Sequence, residues 1–518
     1  MQITQYLKQA VQIHPLRLAT IDIKNNRRQT WLEFGTRVTK LAGALQSFGV
    51  KTGDRVAILT INSDVHLEYY FATIWTGGIS VPLNTRLASN EIWHILDDCG
   101  AKFLIVDDST YPTLHGNLEN SSSITHTIFA GAGKSPDGLV AHETFLQSSN
   151  PVPGKDCGDE DIAMITYTGG TTGQPKGAML THNNIIHNSR SALAILDDDE
   201  PWTYLHAAPM YHIADCQWNT GVTMAGGTHV FLDKFDPEDV LTAIDRFKIT
   251  HTALVPTMIK MLCDLSDIDS FDLSSLRKIN FGGSPISPEL IKKARQKFPQ
   301  CEFIQGYGLT ETSPNISMLP DKYNRPGNPK IESAGRPVPG MDVMIIDENG
   351  DEVPRGIIGE IITKGPHVMA GYWNDSEETE RVLRNGWLHT GDLGYMDEDG
   401  FIFVVDRLKD MIITGGENVY STEVEQVIEK LDGVEVCAVI GIPDEKWGEA
   451  VYAIVLPKIN QKLSEEEIKS HCRQYLAHYK CPKSIEIRYE PLPVSGPGKI
   501  LKRKLRKPFW PKDGRQVN

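Results

Sequence analysis

The sequence has few cysteines, and none of them lies at a spacing that a metal site or a redox motif needs. Its 518 residues include eight cysteines, with no C-x-x-C pair and no cysteine and histidine cluster at zinc spacing. A disulfide-stabilised scaffold and a structural zinc site are therefore not expected. We expect these cysteines to be mostly buried, reduced thiols.

Long apolar runs and an excess of basic residues are also missing. No window contains about 20 uninterrupted apolar residues, the length that spans a bilayer. Residues 1–21 lack the apolar core and cleavage site of a secretory signal. The formal net charge of −15, from 52 Lys and Arg against 67 Asp and Glu, disfavours nucleic acid as a partner. We expect a cytoplasmic protein without an integral membrane segment. Loose membrane association through a hydrophobic substrate is an alternative that the sequence leaves open.

The residues that are present have the patterning of a large globular protein. Hydrophobic residues make up 40% of the chain, and the length is enough for three or four domains at roughly 150 residues each. Thr30 and Glu33 have capping-box spacing before an apolar periodicity of three or four residues, which predicts an amphipathic helix. Apolar runs at 56–61 and 103–106 predict buried strands. Strands that alternate with helices in this way predict α/β layers with largely parallel sheets.

The pattern changes along the chain in two places. Residues 116–150 are rich in Ser, Gly and Thr, and we expect a connective surface excursion there. After the charged residues 406–410, a helix is predicted at 421–431 and strands at 436–442 and 451–456. This last part predicts a compact α+β domain, with a boundary near residue 408.

The sharpest local signal is a glycine-rich string at residues 167–177. Its four glycines allow backbone N–H groups to turn towards an anion, its three threonines supply hydroxyl donors, and Lys176 supplies a positive charge. The string is not a Walker A loop, because Gly177 follows the lysine where Ser or Thr would be needed. It predicts a phosphate-binding loop.

Further motifs follow this string in a fixed order. They lie at residues 209–212, 282–285, 305–311, 389–392, 406–410 and 498–499. With these motifs the chain resembles the adenylate-forming superfamily, which includes acyl-CoA and aryl-CoA synthetases, standalone adenylation domains and beetle luciferases. The resemblance implies an α/β and α+β multidomain fold. A large domain of α/β subdomains, residues 1–408, would carry a small mobile α+β lid, residues 409–518, that turns about a hinge at Lys409.

The residue types of the motif at 305–311 suit a nucleotide and its metal ion, independently of the resemblance. The aromatic face of Tyr307 between two glycines can stack on a purine, Thr310 can donate to a phosphate, and Glu311 offers a hard oxygen ligand for Mg²⁺. The resemblance implies that Tyr307 flanks adenine, Thr310 contacts the α-phosphate and Glu311 binds the metal. The ATP and AMP site that it implies consists of Thr168, Gly170, Thr171, Thr172, Gly173, Lys176, Gly283, Ser284, Pro285, Gly306, Tyr307, Gly308, Asp392 and Arg407.

Three charged residues in the later motifs complete the implied site. A carboxylate at Asp392 can accept from both ribose hydroxyls, and Arg407 matches a second ribose contact. Lys499 matches the lysine that bridges the substrate carboxylate and the α-phosphate, where it would neutralise charge in the transition state. With Thr310, Glu311 and His212, it makes up the implied catalytic set.

The implied reaction is the activation of a carboxylic acid with ATP and Mg²⁺, followed by transfer to a thiol. The acid attacks the α-phosphate to give acyl-AMP and pyrophosphate, and a thiol then displaces AMP. The lid would turn about Lys409, withdraw Lys499 and present Gly415 and Gly416 beside a pantetheine tunnel. A fatty acyl-AMP ligase that does not use CoA would have an extra block of residues in the later large domain that holds the small domain away. The sequence has no obvious block of this kind, so CoA is the expected thiol.

The acid pocket implied by the resemblance is mostly apolar. It consists of His212, Ile213, Asp215, Trp218, Gly282 and Gly283. Ile213 takes the place where amino-acid-activating domains carry an aspartate, which argues against an amino acid, although Asp215 could recover some polarity. A fatty or aromatic monocarboxylic acid is the expected substrate.

Three alternatives stay open at this point. Residues 212–217 also resemble the carnitine and crotonobetaine CoA ligases, which act on a small polar acid. A standalone adenylation enzyme could load a carrier-protein thiol, and a nucleotide-binding regulatory protein would have a dead site. The presence of every implied catalytic side chain disfavours the last alternative, and a homodimer is compatible with the resemblance.

Overall fold

The computed structural model describes residues 1–114, 123–168, 175–197, 201–284, 286–415, 417–494 and 500–510. The chain divides into two compact units. The first unit contains Met1–Val343 and Thr363–Leu388, and the second contains Met344–Ile362 and the described part of His389–Asn518.

The helices and strands alternate over most of the chain. The α-helices are α1 (Thr4–Ile13), α2 (Trp31–Ser47), α3 (Asp64–Trp75), α4 (Ser89–Cys99), α5 (His142–Gln147), α6 (His182–Leu196), α7 (Ile213–Met224), α8 (Pro237–Phe247), α9 (Pro256–Cys263), α10 (Pro288–Lys297), α11 (Ser376–Val382), α12 (Ser421–Glu429), α13 (Glu465–Tyr475) and α14 (Lys502–Arg506). Short 3₁₀ helices lie at Tyr111–Leu114, Ile268–Ser270, Thr310–Thr312 and His478–Lys480.

The strands, in chain order, are β1 (Leu18–Asp22), β2 (Arg27–Thr30), β3 (Arg55–Leu59), β4 (Ile79–Pro82), β5 (Phe103–Val106), β6 (His126–Phe129), β7 (Val140–Ala141), β8 (Ile162–Thr168), β9 (Lys176–Thr181), β10 (Thr203–His206), β11 (Thr228–Phe231), β12 (His251–Leu254), β13 (Lys278–Gly282), β14 (Glu302–Gly308), β15 (Asn315–Leu319), β16 (Arg336–Pro337), β17 (Asp342–Ile346), β18 (Gly359–Lys364), β19 (Gly371–Tyr372), β20 (Leu383–Arg384), β21 (Trp387–Met396), β22 (Ile402–Arg407), β23 (Ile412–Thr414), β24 (Glu417–Val419), β25 (Val434–Asp444), β26 (Gly448–Pro457) and β27 (Ser484–Ile487).

Two large sheets form the first unit. One has the order β16-β15-β14-β13-β12-β10-β11-β1-β2, and the other has the order β19-β9-β8-β4-β3-β5-β6-β7. The inner pairs, such as β12 with β13 and β13 with β14, are parallel. Antiparallel pairs lie towards the edges, as in β14 with β15 and β1 with β2. The predicted α/β layers with largely parallel sheets are confirmed.

Helices cover both faces of the first of these sheets, because its strands are apolar on both sides. On one face, Ile279 and Phe281 of β13 pack in a core with residues of α8, α9 and α10. On the other face, Ala253 and Ile304 pack with Trp218 of α7. The end of β13 therefore lies between two packed layers, in the region where the sequence predicts the acid pocket.

The second unit is a smaller α+β structure. Its main sheet has the order β24-β23-β26-β25, with β27 paired to β26, and its pairs are antiparallel except for the last. Residues of α12 and α13 pack on one face of this sheet, and Leu505 of α14 packs in a separate core with Ile440 and Ile454 of β25 and β26. The predicted α+β character of the late part of the chain is confirmed.

Local predictions can be compared with these elements. The capping box at Thr30 and Glu33 is present at the start of α2. The expectation of a purely connective excursion is wrong for the described part of 116–150. There β6 extends the second sheet as a parallel partner of β5, because the apolar pair Ile128 and Phe129 is buried against it. All eight cysteines are free thiols, and six of them are buried.

No helix among the described residues is both long enough and apolar enough to cross a membrane.

Candidate active site

The motif at 305–311 begins on β14 and turns into the 3₁₀ helix Thr310–Thr312. Two glycines are needed here because backbones approach closely. A Cβ on Gly308 would lie 1.8 Å from the carbonyl oxygen of Pro314, and one on Gly282 would lie 2.4 Å from that of Gly306. These close approaches place Tyr307 and Glu311 at the end of β14, beside the end of β13.

Glu311 is held by a tyrosine that sequence reasoning missed. The Tyr372 hydroxyl donates to Glu311 Oε1 at 2.7 Å, and the Met369 N–H donates to the Glu311 carbonyl oxygen at 2.9 Å. Burial, with the Glu311 carboxylate as a second cause, raises the pKa of Tyr372 well above its ordinary value. Tyr372 therefore stays a neutral donor and presents Glu311 as a partly buried carboxylate.

Lys176 lies in the same group of side chains. It begins β9 directly opposite Thr168 on β8, and its Nζ lies 2.6 Å from Glu378 Oε1 and 5.7 Å from the centre of the Tyr372 ring. The ion pair with Arg381, followed by that with Lys176, lowers the pKa of Glu378 to about 2. We call Lys176, Glu311, Tyr372 and Glu378 the Glu311 cluster, and it joins two motifs that are more than a hundred residues apart.

Several predicted site residues lie outside the described residues. They are Gly170, Thr171, Thr172, Gly173, Pro285, Gly416 and Lys499. Their roles remain predictions.

Three buried amide side chains hold the segment that follows Glu311, and sequence reasoning missed all three. Asn315 Nδ2 donates to Asn188 Oδ1 and to Gln217 Oε1, each at 2.9 Å. Asn188 Nδ2 donates to the carbonyl oxygens of Thr312 and Asn315, each at 2.9 Å. We call Asn188, Gln217 and Asn315 the amide cluster. The amide cluster connects the 3₁₀ turn to α6 and α7. None of its three residues belongs to a motif that the sequence analysis identified.

His212 and Ile213 lie where α7 begins. His212 Nδ1 accepts from the Ala214 N–H at 3.3 Å and so caps the helix. Burial lowers the pKa of His212, so the ring is neutral at physiological pH. Ile213 is buried in the main core of the first unit. One face of this helix start is thus polar and the other is apolar.

Asp215 and Trp218 lie two and five residues after Ile213 on α7, and both are buried. Asp215 accepts from the Tyr204 hydroxyl at 2.9 Å and from His206 Nδ1 at 2.6 Å, so both carboxylate oxygens have donors within the protein. Trp218 stacks on Tyr204 with ring centres 5.6 Å apart. Asp215 therefore belongs to an internal hydrogen-bond network, and Trp218 lies on the face of α7 that looks towards the sheet.

The other implied base and acid contacts lie at the end of β13. Gly282 ends the strand, Gly283 has φ of +79° in the left-handed region, and Ser284 is half-buried. A positive φ suits glycine and turns the chain sharply away from the sheet. Gly282, Gly283, Ser284, Gly306 and Tyr307 are thus neighbours at the ends of two adjacent parallel strands.

The two implied ribose contacts are brought together in the second unit. Asp392 on β21 lies opposite Arg407 on β22, and Arg407 Nε lies 2.9 Å from Asp392 Oδ1. Asp392 is buried, whereas the Arg407 side chain is 32% exposed. The buried partner holds the guanidinium in place, which leaves its outer edge at the surface.

The predicted hinge and tunnel residues also lie in the second unit. Lys409 is exposed, and its carbonyl oxygen accepts from Arg506. Gly415 has φ of +61°, its N–H donates to the Trp447 carbonyl oxygen at 2.8 Å, and a Cβ there would lie 2.8 Å from the Trp447 ring. Only glycine fits that turn without displacing the indole.

A charged network of buried and partly buried side chains lies next to the hinge segment and was not predicted. Asp406 accepts from the hydroxyl of Ser421 at 2.8 Å, and Lys502 Nζ lies 2.6 Å from the same hydroxyl and 2.8 Å from Glu425 Oε1. Burial raises the pKa of Glu425 to about 7, while Lys502 opposes that shift. These contacts join the 406–410 motif to α14, which follows the Lys499 motif in the chain.

The family of the chain is shown by two matching family models. Residues 7–373 match the model described as AMP-binding enzyme, and residues 423–499 match the model described as AMP-binding enzyme C-terminal domain.

The chain is also similar to curated proteins and to solved structures over nearly its entire length. It is 40% identical to a feruloyl-CoA synthase of Amycolatopsis sp, over 93% of this chain and 94% of the relative. It is 36% identical to the fatty acid–[acyl-carrier-protein] ligase ScoC of Streptomyces coeruleorubidus, over 95% of this chain and 94% of the relative. A fatty acyl CoA synthetase structure from Mycobacterium tuberculosis matches with a TM-score of 0.78 and 32% identity, over 98% of each chain.

The ordered motifs, the α/β and α+β units and these matches agree with one another. The chain belongs to the AMP-binding enzyme family and is an adenylate-forming acid–CoA ligase of the acyl-CoA synthetase type.

Proposed function

We propose that this enzyme joins a hydrophobic monocarboxylic acid, fatty or aromatic, to coenzyme A through an acyl-AMP intermediate. A carboxylate oxygen forms a bond to the α-phosphorus of ATP as the bond to pyrophosphate breaks. The CoA thiol then loses its proton and its sulfur attacks the acyl carbon, which releases AMP. The observation that carries the proposal is the Glu311 cluster, because it brings the glycine-rich string and the 305–311 motif to one place.

The Glu311 cluster fits a site for ATP with Mg²⁺. Mg²⁺ is commonly held by one or two carboxylates together with phosphate oxygens, and Glu311 offers one partly buried carboxylate that Tyr372 orients. When bound, Mg²⁺ supplies positive charge that offsets the charge of the phosphates. Lys176 adds a second positive charge, and Glu378 keeps its ammonium in position before ATP binds.

The adenosine contacts are assigned from the motifs that follow the glycine-rich string. We assign the base to Tyr307, with Gly283, Ser284 and Pro285 on its other side and Gly306 and Gly308 allowing close approach. We assign the ribose to Asp392 and Arg407, which the antiparallel pair β21 and β22 already holds together. Thr168 and the undescribed residues of the glycine-rich string contact the phosphates in this assignment, and Thr310 contacts the α-phosphate.

The acid lies next to the start of α7 in this assignment. His212 is neutral and caps the helix, so it can approach a carboxylate or a thiol without adding charge. Ile213 and Trp218 supply apolar surface, whereas Asp215 is occupied by Tyr204 and His206. An apolar pocket of this kind favours a hydrophobic acid over an amino acid.

The second half-reaction is assigned to a turn of the C-terminal lid. We propose that residues 409–518 turn about Lys409, so that Lys499 serves adenylation and the Gly415 and Gly416 segment serves the thioester step. The exposed position of Lys409 and the tight turn at Gly415 are compatible with these roles. A chain that uses one pocket in two arrangements separates the two chemical steps in time.

The first test is a substrate panel. Pyrophosphate release is measured with ATP and Mg²⁺ for fatty, aromatic, small polar and amino acids, each with and without CoA, and thioester products are identified by mass. We expect release with fatty or aromatic acids and a CoA thioester only when CoA is present. Release with amino acids alone, or with carnitine-like acids alone, would contradict the proposed substrate class.

A second acceptor is favoured by one specific observation, the 36% identity to an acyl-carrier-protein ligase. The same panel run with a holo acyl carrier protein in place of CoA distinguishes the two acceptors. Acyl-AMP that reacts with the carrier protein but leaves CoA untouched would redirect the assignment to carrier loading.

The role of Lys499 is tested on the two half-reactions separately. Lys499→Ala should lower acyl-AMP formation at least about 100-fold, because a charge that stabilises the transition state is lost, yet spare the attack of CoA on supplied acyl-AMP. The matched control is Lys504→Ala, which changes another lysine of the same basic stretch and should leave both steps unchanged. Equal losses in both half-reactions would remove Lys499 from its assigned role.

A further inference from the structure

A carboxylate outside the predicted motifs lies beside the turn that carries Asp392. Glu360 is a residue of β18, its side chain is 20% exposed, and both of its carboxylate oxygens have partners within the second unit. Oε2 lies 2.8 Å from His389 Nδ1, and Oε1 accepts from the Gly391 N–H at 3.1 Å. Because a carboxylate only accepts, the ring donates from Nδ1. Glu360 therefore holds the chain at two points just before Asp392.

The turn needs this acceptor because the backbone of β21 changes direction there. Gly391 has φ of +68°, in the left-handed region, although it lies inside the strand Trp387–Met396. A residue in that conformation turns its peptide groups away from the directions of an extended strand. The carboxylate of Glu360, on the neighbouring strand β18, accepts the N–H that is redirected in this way. Glu360 thus stabilises a conformation that an extended strand does not favour by itself.

Further hydrogen bonds fix the residues on both sides of Gly391. The Thr390 hydroxyl donates to the Ile361 carbonyl oxygen at 2.6 Å and accepts from the Asp392 N–H at 3.0 Å. The Leu408 N–H donates to the Gly391 carbonyl oxygen at 2.9 Å. Both the N–H and the carbonyl group of Gly391 are therefore held, and the direction of the Asp392 side chain is fixed with them.

The position of Asp392 depends on this turn. Asp392 is buried and lies opposite Arg407, with its Oδ1 atom 2.9 Å from Arg407 Nε. Successive side chains of a strand point to opposite faces, so a change of Gly391 to an ordinary extended conformation would rotate Asp392 relative to Arg407. A carboxylate that is rotated in this way no longer accepts from two ribose hydroxyls at once, since such contacts require precise orientation.

We propose that Glu360 is a positioning residue for the ribose of ATP. Its carboxylate keeps residues 390–392 in the conformation in which Asp392 accepts from the ribose hydroxyls. The inference rests on the proposed function, in which the ribose is assigned to Asp392. Glu360 does not contact the nucleotide and acts through Gly391. Its effect is therefore confined to the part of the binding free energy that depends on the ribose hydroxyls.

The test compares two nucleotides that differ only in the ribose hydroxyls, ATP and 2′,3′-dideoxy-ATP. Isothermal titration calorimetry of the full chain with Mg²⁺ gives a dissociation constant for each and requires no acid substrate. For the wild-type protein we expect ATP to bind at least about 10-fold more tightly, because the dideoxy nucleotide lacks both donors to Asp392. Glu360→Met removes both acceptor oxygens at similar side-chain length, so this ratio should fall below about 3-fold.

The ratio separates a positioning role from a structural one. A structural defect weakens both nucleotides by the same factor, and that result for Glu360→Met would overturn the proposal. Glu360→Gln should restore the wild-type ratio, since the amide oxygen can still accept from the Gly391 N–H. The matched control is Glu398→Met, at an exposed glutamate in the turn between β21 and β22, and it should keep the wild-type ratio.

A milder variant keeps the proposal testable if Glu360→Met does not fold. Glu360→Asp keeps the charge but shortens the side chain, so it cannot reach Gly391 and His389 at the same time. The ratio between the two nucleotides should again fall, by at least about 3-fold, because a small displacement of the turn misdirects Asp392. A folded Glu360→Asp protein with the wild-type ratio would overturn the proposal.

Failure of this inference is distinguishable from failure of the proposed function. If Asp392→Ala lowers the ratio and Glu360→Met does not, the ribose assignment stands and only the role of Glu360 is overturned. If the wild-type protein binds both nucleotides equally well, the assignment of the ribose to Asp392 is overturned together with the role of Glu360. If it binds neither nucleotide, the proposed ligase function itself is overturned.

Discussion

Two turns that carry site residues are held by side chains in different ways. In the first unit, the amide cluster holds the segment after Glu311, and its three side chains are buried. In the second unit, the partly exposed Glu360 holds the turn before Asp392 through the Gly391 N–H. A hydrogen bond that is broken in a buried cluster leaves polar groups that water does not reach, whereas water can replace a partner near the surface. The amide cluster therefore mainly stabilises the fold, and Glu360 mainly sets the geometry of one contact.

The charged residues show the same contrast in another form. In the second unit, the buried Asp406 and Ser421 and the partly buried Glu425 and Lys502 pair with one another. In the Glu311 cluster, Tyr372 approaches just one carboxylate oxygen of the partly buried Glu311. The first arrangement stabilises the fold, whereas the second leaves an oxygen for a ligand. Substitutions should therefore affect stability in one group and catalysis in the other.

The largest effect should come from Glu311. Glu311→Gln keeps the size and the hydrogen bond from Tyr372 but removes the charge, so acyl-AMP formation should fall at least about 100-fold while the thermal unfolding midpoint stays nearly unchanged. The measurement is acid-dependent exchange of labelled pyrophosphate into ATP. Glu289→Gln, at an exposed position in the first turn of α10, is the control and should behave as wild type. A large drop in the unfolding midpoint of Glu311→Gln would contradict this expectation, because Glu311 would then stabilise the fold.

The next effect should come from the amide cluster, and it should appear as lost stability. Asn315→Leu removes the donor to Asn188 and Gln217 and leaves their oxygens buried without it, which should cost about 2–4 kcal/mol of unfolding free energy. Chemical denaturation of the purified enzyme measures this cost. Asn349→Leu changes an exposed turn residue and should cost less than about 0.5 kcal/mol. A stable Asn315→Leu enzyme with altered acid preference would place the amide cluster in the acid pocket instead.

The smallest effect should be a pH dependence in the second unit. Burial raises the pKa of Glu425 from 4.5 to about 7, so the folded state holds that proton more tightly than the unfolded chain does. Its contribution to stability is complete below about pH 4.5 and is lost as the pH rises through about 7.

The variant Glu425→Gln removes this titration. The difference in unfolding free energy between wild type and variant should therefore fall between pH 5 and 7, by at most about 1.4 kcal/mol per pH unit. Denaturation curves at pH 5, 6 and 7 measure it, with the exposed Glu417→Gln as the control. A difference that does not change with pH would mean that Lys502 keeps Glu425 ionised throughout.

Much of the fold could be predicted from local patterns. The capping box before α2, the apolar runs of β3 and β5, and the change to an α+β pattern after 406–410 correspond to elements that form for local reasons. The described part of 116–150 looks like a connection in the sequence, because β6 has only four residues and a strand this short leaves little alternating pattern. Its burial depends on its partner β5, which a local pattern does not show.

The candidate site divides in the same way. The residue types of short motifs predict Lys176 and Glu311, whereas the resemblance carried by the ordered motifs implies Asp392 and Arg407. Tyr372, Glu378 and the amide cluster belong to no motif. Their side chains matter only because the fold brings them to residues far away in the sequence, as when Asn188 reaches Asn315.

The sequence by itself determined the family, the order of its motifs and the reaction class, because those depend on residue types at short spacings. Only the tertiary structure decided which polar groups are already satisfied. Hydrogen bonds between distant side chains depend on strand register and on which face of a sheet each residue occupies. Glu360 looks in the sequence like one charged residue in a short strand, and its contact with Gly391 is visible only when β18 and β21 lie side by side.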